Sequence, residues 1–310
     1  MAYGSSAKFL PSLCLLIGLL VVLSEVSGEQ ADRAQSFEIP SEAKDAWSNA
    51  IRQGFDKHSG QPLEIRHKTT GMHLVLCPAG SFTMGSPANE KDRSKRIDES
   101  QHKVTLSKPF YIGKYEVTQA EWKKVMGKEP WKGERYTKEN PRHAATYISW
   151  EDCHEFLKKL NVARTTSFAL PTEAQWEYAC RSATTTRFYY GEDETSRLLK
   201  DYAWFGDNAY KAGDKYAHPV GQKKPNAWGL YDMHGNVWEW CQDWYGDYPS
   251  KTVINPEGPT AGDYRVIRGG SWYNSARFCR SADRYRIRPS DRLDGLGFRV
   301  VLPSQPEALR

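Results

Sequence analysis

Gly235-Asn236-Val237-Trp238-Glu239-Trp240 and Arg268-Gly269-Gly270-Ser271-Trp272 are two short stretches rich in glycine and tryptophan. The apolar clusters in this half of the chain are equally short, and Gly, Pro and Asn residues separate one cluster from the next. They are Leu230-Tyr231, Val237-Trp238, Val266-Ile267 and the run 298–302. This pattern predicts short strands joined by long ordered loops, and it argues against a doubly wound parallel sheet, which needs strands alternating with long helices.

Three segments in the first half of the chain begin with a helix-capping signal. Each begins with a Ser or Thr, namely Thr118, Ser149 or Thr172. Three residues later stands a side chain that can accept a hydrogen bond from the backbone N–H of this cap residue. Apolar side chains then recur on one helical face. The sequence therefore predicts an α+β domain with little regular secondary structure, three helices in the first half and short antiparallel strands in the second.

Composition limits the class of protein. Of the 310 residues, 39% are hydrophobic and 26% charged, so the chain can bury a core. The formal charge of +5 comes without a basic run, which does not favour a nucleic-acid partner. The eight histidines lack the spacing of a zinc hydrolase, and we find no nucleophile elbow or phosphate-binding loop.

The N-terminus resembles a secretory signal. Lys8 precedes an apolar run over 9–23, and Val26-Ser27-Gly28 supplies small residues for cleavage. A membrane anchor is the alternative, but it needs ~20 mainly apolar residues. We predict a signal peptide over 1–28, a polar N-terminal extension over 29–65, the main domain over 66–303 and a tail over 304–310. The mature protein is then secreted or periplasmic and is not an integral membrane protein.

Signal cleavage would remove Cys14 and leave an odd number of cysteines, so at least one thiol has no partner within the monomer. The remaining five are Cys77, Cys153, Cys180, Cys241 and Cys279. Each of these cysteines, taken alone, is ordinarily expected to be a buried and unreactive thiol.

Eight ordered blocks carry a family resemblance. They are Pro78-Ala79-Gly80-Ser81-Phe82-Thr83-Met84-Gly85, Tyr115-Glu116-Val117-Thr118, Ser149-Trp150, Leu170-Pro171-Thr172-Glu173-Ala174-Gln175-Trp176-Glu177-Tyr178, Asn226-Ala227-Trp228-Gly229-Leu230-Tyr231-Asp232, Gly235-Asn236-Val237-Trp238-Glu239-Trp240, Arg268-Gly269-Gly270-Ser271-Trp272 and Gly297-Phe298-Arg299. In this order the blocks resemble the formylglycine-generating enzyme, or sulfatase-modifying factor, family, and they span nearly the whole domain.

The resemblance implies a fold related to C-type lectins, held together by aromatic packing and calcium. It also implies a reaction. In the enzymes of this family, copper held by two cysteines uses oxygen to convert a cysteine in a Cys-x-Pro-x-Arg sequence of a sulfatase into formylglycine. Soft thiolates suit Cu(I). A sulfatase-type polypeptide is therefore one expected partner.

This chain departs from the family at the copper ligands. The second ligand position is Cys279, but the first is Asn274, and an amide oxygen is a poor ligand for Cu(I). Ser271 matches the serine beside the metal. Cys241 could replace the missing ligand, form a disulfide with Cys279, or be a separate buried thiol. Cys180 matches a bridging cysteine of the animal enzymes, whose partner position is Arg284 here.

The resemblance also implies one calcium site, at Asp232, Gly235, Val237 and Glu239. Two side-chain oxygens and two carbonyls suit a cation that accepts 6–8 oxygen ligands, and Gly235 permits the tight loop. Without the surrounding blocks, these residues would be explained by a turn before a strand. The family's second calcium site looks degraded, because Trp204 replaces an Asn.

A binding function is the interpretation we favour. The segment from Trp272 to Leu293 resembles the variable region of lectin-fold binding proteins. Trp238 and Trp272 are expected to form the apolar walls of the cleft that Ser271 lines. The segment's expected contact residues are Tyr273, Arg277, Arg284 and Arg286. Arginines suit an anionic glycan, although pairing with nearby aspartates would also explain them. We therefore predict a ligand-binding or diverged family member, with a copper-dependent oxidase using Cys279 as the alternative.

Overall fold

The computed structural model describes residues 37–38, 56, 61–161 and 167–304. The predicted signal peptide, most of the predicted extension and residues 305–310 of the predicted tail lie outside this part. The helices are α1 (Gln119–Met126), α2 (Trp150–Leu160) and α3 (Glu173–Arg181), with 3-10 turns at Leu199–Asp201 and Ala276–Cys279. No helix among the described residues is both long and apolar enough to cross a membrane.

The described strands are two to seven residues long. In chain order they are β1 (Phe37–Glu38), β2 (Glu64–His67), β3 (His73–Cys77), β4 (Gly80–Met84), β5 (His102–Leu106), β6 (Phe110–Gly113), β7 (Trp238–Trp244), β8 (Val253–Ile254), β9 (Arg265–Arg268), β10 (Arg284–Ile287), β11 (Leu296–Gly297) and β12 (Val301–Pro303).

The strands form three small sheets, in the orders β1-β2-β3-β6-β12, β10-β9-β7-β11 and β4-β5-β8. The α+β class is confirmed, but the distribution of strands differs from the prediction. Six strands precede α1, and the pairs β11–β7 and β5–β8 are parallel. Leu230-Tyr231 is not a strand, because it belongs to the loop leading into β7.

All three helices begin at the predicted caps. The side chains of Thr118, Ser149 and Thr172 each accept a hydrogen bond from the backbone N–H three residues on, and the side chain at that position bonds back to the cap. These capping boxes are confirmed. Each satisfies two backbone donors that would otherwise lack a partner, which explains why so short a helix begins at a defined residue.

The first sheet extends further toward the N-terminus than predicted. Strand β1 pairs with β2, with Phe37 opposite His67, and both residues are buried. Leu63 and Ile65 are also buried. Part of the segment 29–65 therefore belongs to the sheet, because its few apolar side chains complete the packing of β3.

The interior combines indoles with charged pairs. Trp176 and Trp240 are fully buried, and the indole of Trp240 donates to the carbonyl of Ile148 at 2.9 Å. Arg268 and Arg299 are also fully buried. Each forms an ion pair with a carboxylate from a distant part of the chain. These pairs therefore position loops that have no strand pairing of their own.

Candidate functional site

The loop after β9 turns sharply at Gly270, which has a φ of +75°. A Cβ there would lie 2.9 Å from both the Cys279 sulfur and the Phe278 carbonyl oxygen. Only glycine allows this approach, so the chain brings Ser271 and Cys279 to the two sides of one tight turn. The two residues that the resemblance assigned to a catalytic centre are therefore close together.

Asn274 occupies the position of the missing ligand. Its Oδ1 accepts a hydrogen bond from the Ser271 hydroxyl at 2.5 Å, and its backbone carbonyl accepts from the Gly206 N–H at 2.7 Å. Ser271 is fully buried. The amide oxygen of Asn274 is therefore the acceptor for the Ser271 hydroxyl, at the position where the family's enzymes have a thiolate.

Cys279 is a buried thiol. It packs in an apolar cluster that includes Phe188, Leu199 and Phe205 and is not exposed to solvent. Burial raises the pKa of this thiol, and the nearby Asp283 carboxyl adds to the effect. A raised pKa favours the protonated thiol, so the surroundings of Cys279 do not activate it as a nucleophile.

No second thiol reaches Cys279. Cys241 lies on β7 and packs with Trp176 and Val266, in a different apolar cluster. All five cysteines in the described ranges are buried and free. This packing keeps the Cys241 and Cys279 thiols in separate apolar clusters, which fits the third alternative of two separate buried thiols.

The residues predicted for calcium lie together where the loop enters β7. Among them, Glu239 is fully committed to a pair with Arg299, whose Nε and Nη2 lie 2.6 and 2.7 Å from its two carboxylate oxygens. The indole of Trp176 also donates to Glu239, at 2.9 Å. Arg299 thus neutralises one of the two carboxylates expected to hold the cation.

Asp232 has a different environment. Its Oδ2 accepts from the Gly221 N–H at 2.7 Å, whereas Oδ1 is buried and has no hydrogen-bond partner among the described residues. Burial raises the pKa of Asp232 to about 6. A desolvated oxygen without a donor suits a hard cation.

Glu116 joins this group, although the sequence analysis did not select it. Its carboxylate accepts from Asn236 Nδ2 at 2.7 Å and from the Val237 N–H at 3.2 Å. Burial and the neighbouring Asp232 raise its pKa well above the ordinary value. The signal was available, because Glu116 belongs to the block Tyr115-Glu116-Val117-Thr118. Three buried carboxylates thus surround Arg299, and an added cation would offset their repulsion.

The second family calcium site is replaced by stacked rings. The Trp204 indole lies on His218 with centroids 3.9 Å apart, and Lys223 Nζ lies 3.7 Å above the indole. A fixed ammonium at this position opposes a metal cation. Across the ranges described, no three His, Cys, Asp or Glu side chains converge as a metal centre, so any calcium would depend on backbone carbonyls as well.

Several predicted contact residues are buried. Trp238 and Trp272 are only 5% and 1% exposed, so they support the cleft from beneath. Arg284 is 2% exposed and binds both Glu173 oxygens, at 2.7 and 2.6 Å. The expectation that Arg284 contacts a ligand is therefore wrong, because Glu173 already occupies its guanidinium. Cys180 is a free buried thiol, because the position that the resemblance pairs with it is Arg284 and not a cysteine.

The remaining contact residues pack against different rings. Arg277 is exposed, and Tyr273 is half-buried beside Trp272, at 5.0 Å between centroids. Arg286 lies instead over Tyr245, at 4.5 Å. Sequence reasoning treated these residues as one surface, but Arg286 lies on β10 beside Tyr245 and Tyr264, whereas Tyr273 packs against Trp272 in the loop after β9.

An exposed aromatic surface surrounds Trp272. Tyr136 and Tyr210 are 42% and 41% exposed, with ring centroids 6.1 and 6.0 Å from the Trp272 ring. We call Tyr136, Tyr210, Tyr273 and the underlying Trp272 the aromatic surface. The sequence contained no signal for Tyr136 or Tyr210, because two separate loops bring them together and Tyr136 has a φ of +57°.

Comparison with known proteins places this geometry in a family. The family model for the sulfatase-modifying factor enzyme 1-like domain matches residues 60–303. The formylglycine-generating enzyme of Bos taurus is 28% identical over 75% of each chain, and that of Streptomyces coelicolor is 35% identical over 52% of this chain and 53% of its own.

Among solved structures, PvdO from Pseudomonas aeruginosa has a TM-score of 0.66 at 32% identity, covering 76% of this chain and 95% of its own. Treponema denticola variable protein 1 has the same TM-score at 29% identity, covering 75% and 95%. With the family match spanning most of the described residues, this chain belongs to the sulfatase-modifying factor, or formylglycine-generating enzyme, domain family.

Proposed function

We propose that this chain is an exported, ligand-binding member of its family and does not catalyse copper-dependent formylglycine formation. The observation that carries the proposal is the hydrogen bond from Ser271 to Asn274, at the position where the family's reaction needs a thiolate. The fold and the loop are retained while one of the two essential ligands is absent.

The donor set does not fit Cu(I). The amide oxygen of Asn274 is a hard, neutral donor, and Cu(I) prefers soft thiolates. Cys279 and Cys241 are both buried, and they pack in two different apolar clusters. A single buried thiol cannot provide the two-sulfur site, so we derive no step through copper.

The aromatic surface supports binding. Tyr and Trp side chains offer large, rigid contact areas that lose little conformational freedom on binding, and amide and guanidinium groups add adaptable hydrogen bonds. The rigid contact area comes from Tyr136, Tyr210 and Tyr273. The adaptable hydrogen-bonding groups are those of the half-buried Asn274 and the exposed Arg277. We propose that a polypeptide segment, such as one from a sulfatase-type protein, binds here.

Calcium is part of the proposal as a structural ion. Asp232 Oδ1 would be its side-chain ligand, because this buried oxygen has no donor among the described residues. Glu116 is a neighbouring buried carboxylate that forms no ion pair with Arg299 in the described part of the chain. Bound calcium would supply positive charge to this cluster and so fix the loop that leads into β7.

The test compares the wild type with Asn274→Cys and, as a matched control, Asn274→Ser. Each protein is incubated with a Cys-x-Pro-x-Arg peptide, Cu(I), a thiol reductant and oxygen, and mass spectrometry detects the aldehyde. We expect no aldehyde from the wild type or the serine variant. Aldehyde from the wild type would overturn the proposal, whereas aldehyde from Asn274→Cys alone would show that only the ligand is missing.

Binding is measured separately with a peptide array. Peptides that bind the wild type should lose at least tenfold in affinity on the double substitution Tyr136→Ala and Tyr210→Ala, since hot-spot aromatic residues contribute about 2 kcal/mol or more each. Tyr264→Ala is the control, because Tyr264 is exposed but lies beside Arg286. Equal losses in both variants would refute the assignment to the aromatic surface.

A further inference from the structure

A concave site separate from the aromatic surface lies beside Arg286 of β10. It is an open groove of about 700 Å³ between the loop 88–100, the end of β7 and β10. Its walls are almost entirely polar. Those that bear charge are Glu90, Asp92, Arg93, Lys95, Arg96, Asp98, Asp247 and Arg286. The acidic and basic side chains are equal in number, so the groove has no formal net charge. What it attracts therefore depends on which of these side chains are already paired within the protein.

Most of the acidic groups are already bound to the protein. Glu90 accepts from Arg280 at 2.6 Å, and Asp92 accepts from Arg187 at 2.5 Å. Asp98 accepts two backbone hydrogen bonds, from Ser100 at 2.9 Å and Tyr248 at 2.8 Å. These carboxylates fix the loop 88–100 against the domain, which leaves Asp247 as the groove's only acid without such a bond in the described part of the chain.

The basic groups show the opposite pattern. Lys95 and Arg96 are exposed, and neither side chain has a hydrogen bond or ion pair among the described residues. Arg93 bonds only to the Ser86 hydroxyl, at 3.1 Å. Arg286 is likewise without a carboxylate partner there, and its guanidinium lies over Tyr245 at 4.5 Å and Tyr264 at 5.6 Å. Stacking orients this guanidinium and leaves its N–H groups free to bind an oxyanion.

We propose that this groove binds a sulfated oligosaccharide, through Lys95 and Arg96 on one wall and Arg286 on the other. Guanidinium and ammonium groups form their strongest hydrogen bonds with such oxyanions. The cations lie on separate segments of an open groove, so they suit several anionic groups spaced along one chain better than a single small anion. This inference is independent of the proposed aromatic surface and of the copper ligands.

The test uses the full chain and a fluorescent heparin-derived tetrasaccharide, with affinity measured by anisotropy at low and moderate salt. Arg286→Ala and the double substitution Lys95→Ala with Arg96→Ala should each weaken binding about tenfold or more, because charge-assisted hydrogen bonds contribute roughly 1.5–3 kcal/mol. The control removes two exposed lysines outside the groove, Lys103→Ala with Lys108→Ala.

Asp247→Asn makes the test sensitive to a gain of binding, which a folding defect cannot imitate. Removing the uncommitted carboxylate should strengthen tetrasaccharide binding severalfold, and more so at low salt. The proposal fails if Asp247→Asn has no effect, or if the control lysines weaken binding as much as the groove residues. It also fails if polyphosphate binds while the tetrasaccharide does not, since the groove would then select a different polymer.

Discussion

Arg284→Ala distinguishes a structural arginine from a recognition residue. The guanidinium is 2% exposed, binds Glu173 through two nitrogens, donates to the carbonyls of Asp98 and Gly246, and packs on two tyrosines. Removing one partner of such a buried pair leaves the other charge unpaired and costs about 3–5 kcal/mol. For a domain of this size, this lowers Tm by roughly 6–20 °C.

The assay is thermal unfolding followed by circular dichroism, with Arg286→Ala as the matched control. Arg286 is exposed and has no carboxylate partner in the described part of the chain, so its removal should change the free energy of unfolding by about 0.5 kcal/mol or less. Glu173→Gln should destabilise the protein in the same way as Arg284→Ala. If Arg284→Ala melts within about 1 °C of the wild type and loses tetrasaccharide binding, our assignment of Arg284 to the interior is refuted.

Three further predictions concern calcium, acid stability and the turn at Gly270. Calcium should raise the wild-type Tm, by an amount equivalent to about 2.7 kcal/mol at a hundredfold excess over Kd, and Asp232→Asn should abolish the shift; an equal shift in the variant would exclude this site. Burial lowers the pKa of His218 to about 4, so the unfolded chain takes up a proton first, and stability should fall as pH drops from about 6.5 toward 4; because burial also lowers the pKa of His67 and His143 to about 4, His218→Phe should reduce the slope of this part of a Tm-against-pH curve without abolishing it. Gly270→Ala should cost more than 2 kcal/mol in chemical denaturation, because of strain and the clash with Cys279, whereas Gly127→Ala, at a similar φ but in open space, should cost about 1 kcal/mol; equal costs would contradict the close approach.

Local signals in the sequence predicted the helices correctly. A capping box is a contact over three residues, so Thr118, Ser149 and Thr172 could be identified without knowledge of the rest of the fold. Strands β7, β9 and β12 overlap the predicted apolar clusters for a similar reason. The early strands were missed although β2 and β3 form a local hairpin. The parallel pairings, such as β5 with β8, join segments distant in the chain and so leave no local signal.

The candidate site was predictable only in part. Asn274 could be placed from the resemblance, and the turn at Gly270 explains why it lies against Ser271. The fate of each arginine was not visible in sequence, because Arg284 and Arg286 are two residues apart on one strand yet differ in burial. Only Arg284 meets a carboxylate, and this carboxylate comes from α3, 111 positions away.

The buried ion pairs show how such a site can change without loss of the fold. Arg268 pairs with Glu177, and Arg280 with Glu99, each joining segments that are far apart in the chain. Neither pair includes the side chain of Asn274, whose hydrogen bond is to Ser271. The loops are therefore held by charges, indoles and caps that do not depend on a metal at the Ser271 turn. Under our proposal, the change of one thiolate to Asn274 therefore removes a copper ligand while the scaffold that carries the aromatic surface and the groove stays in place.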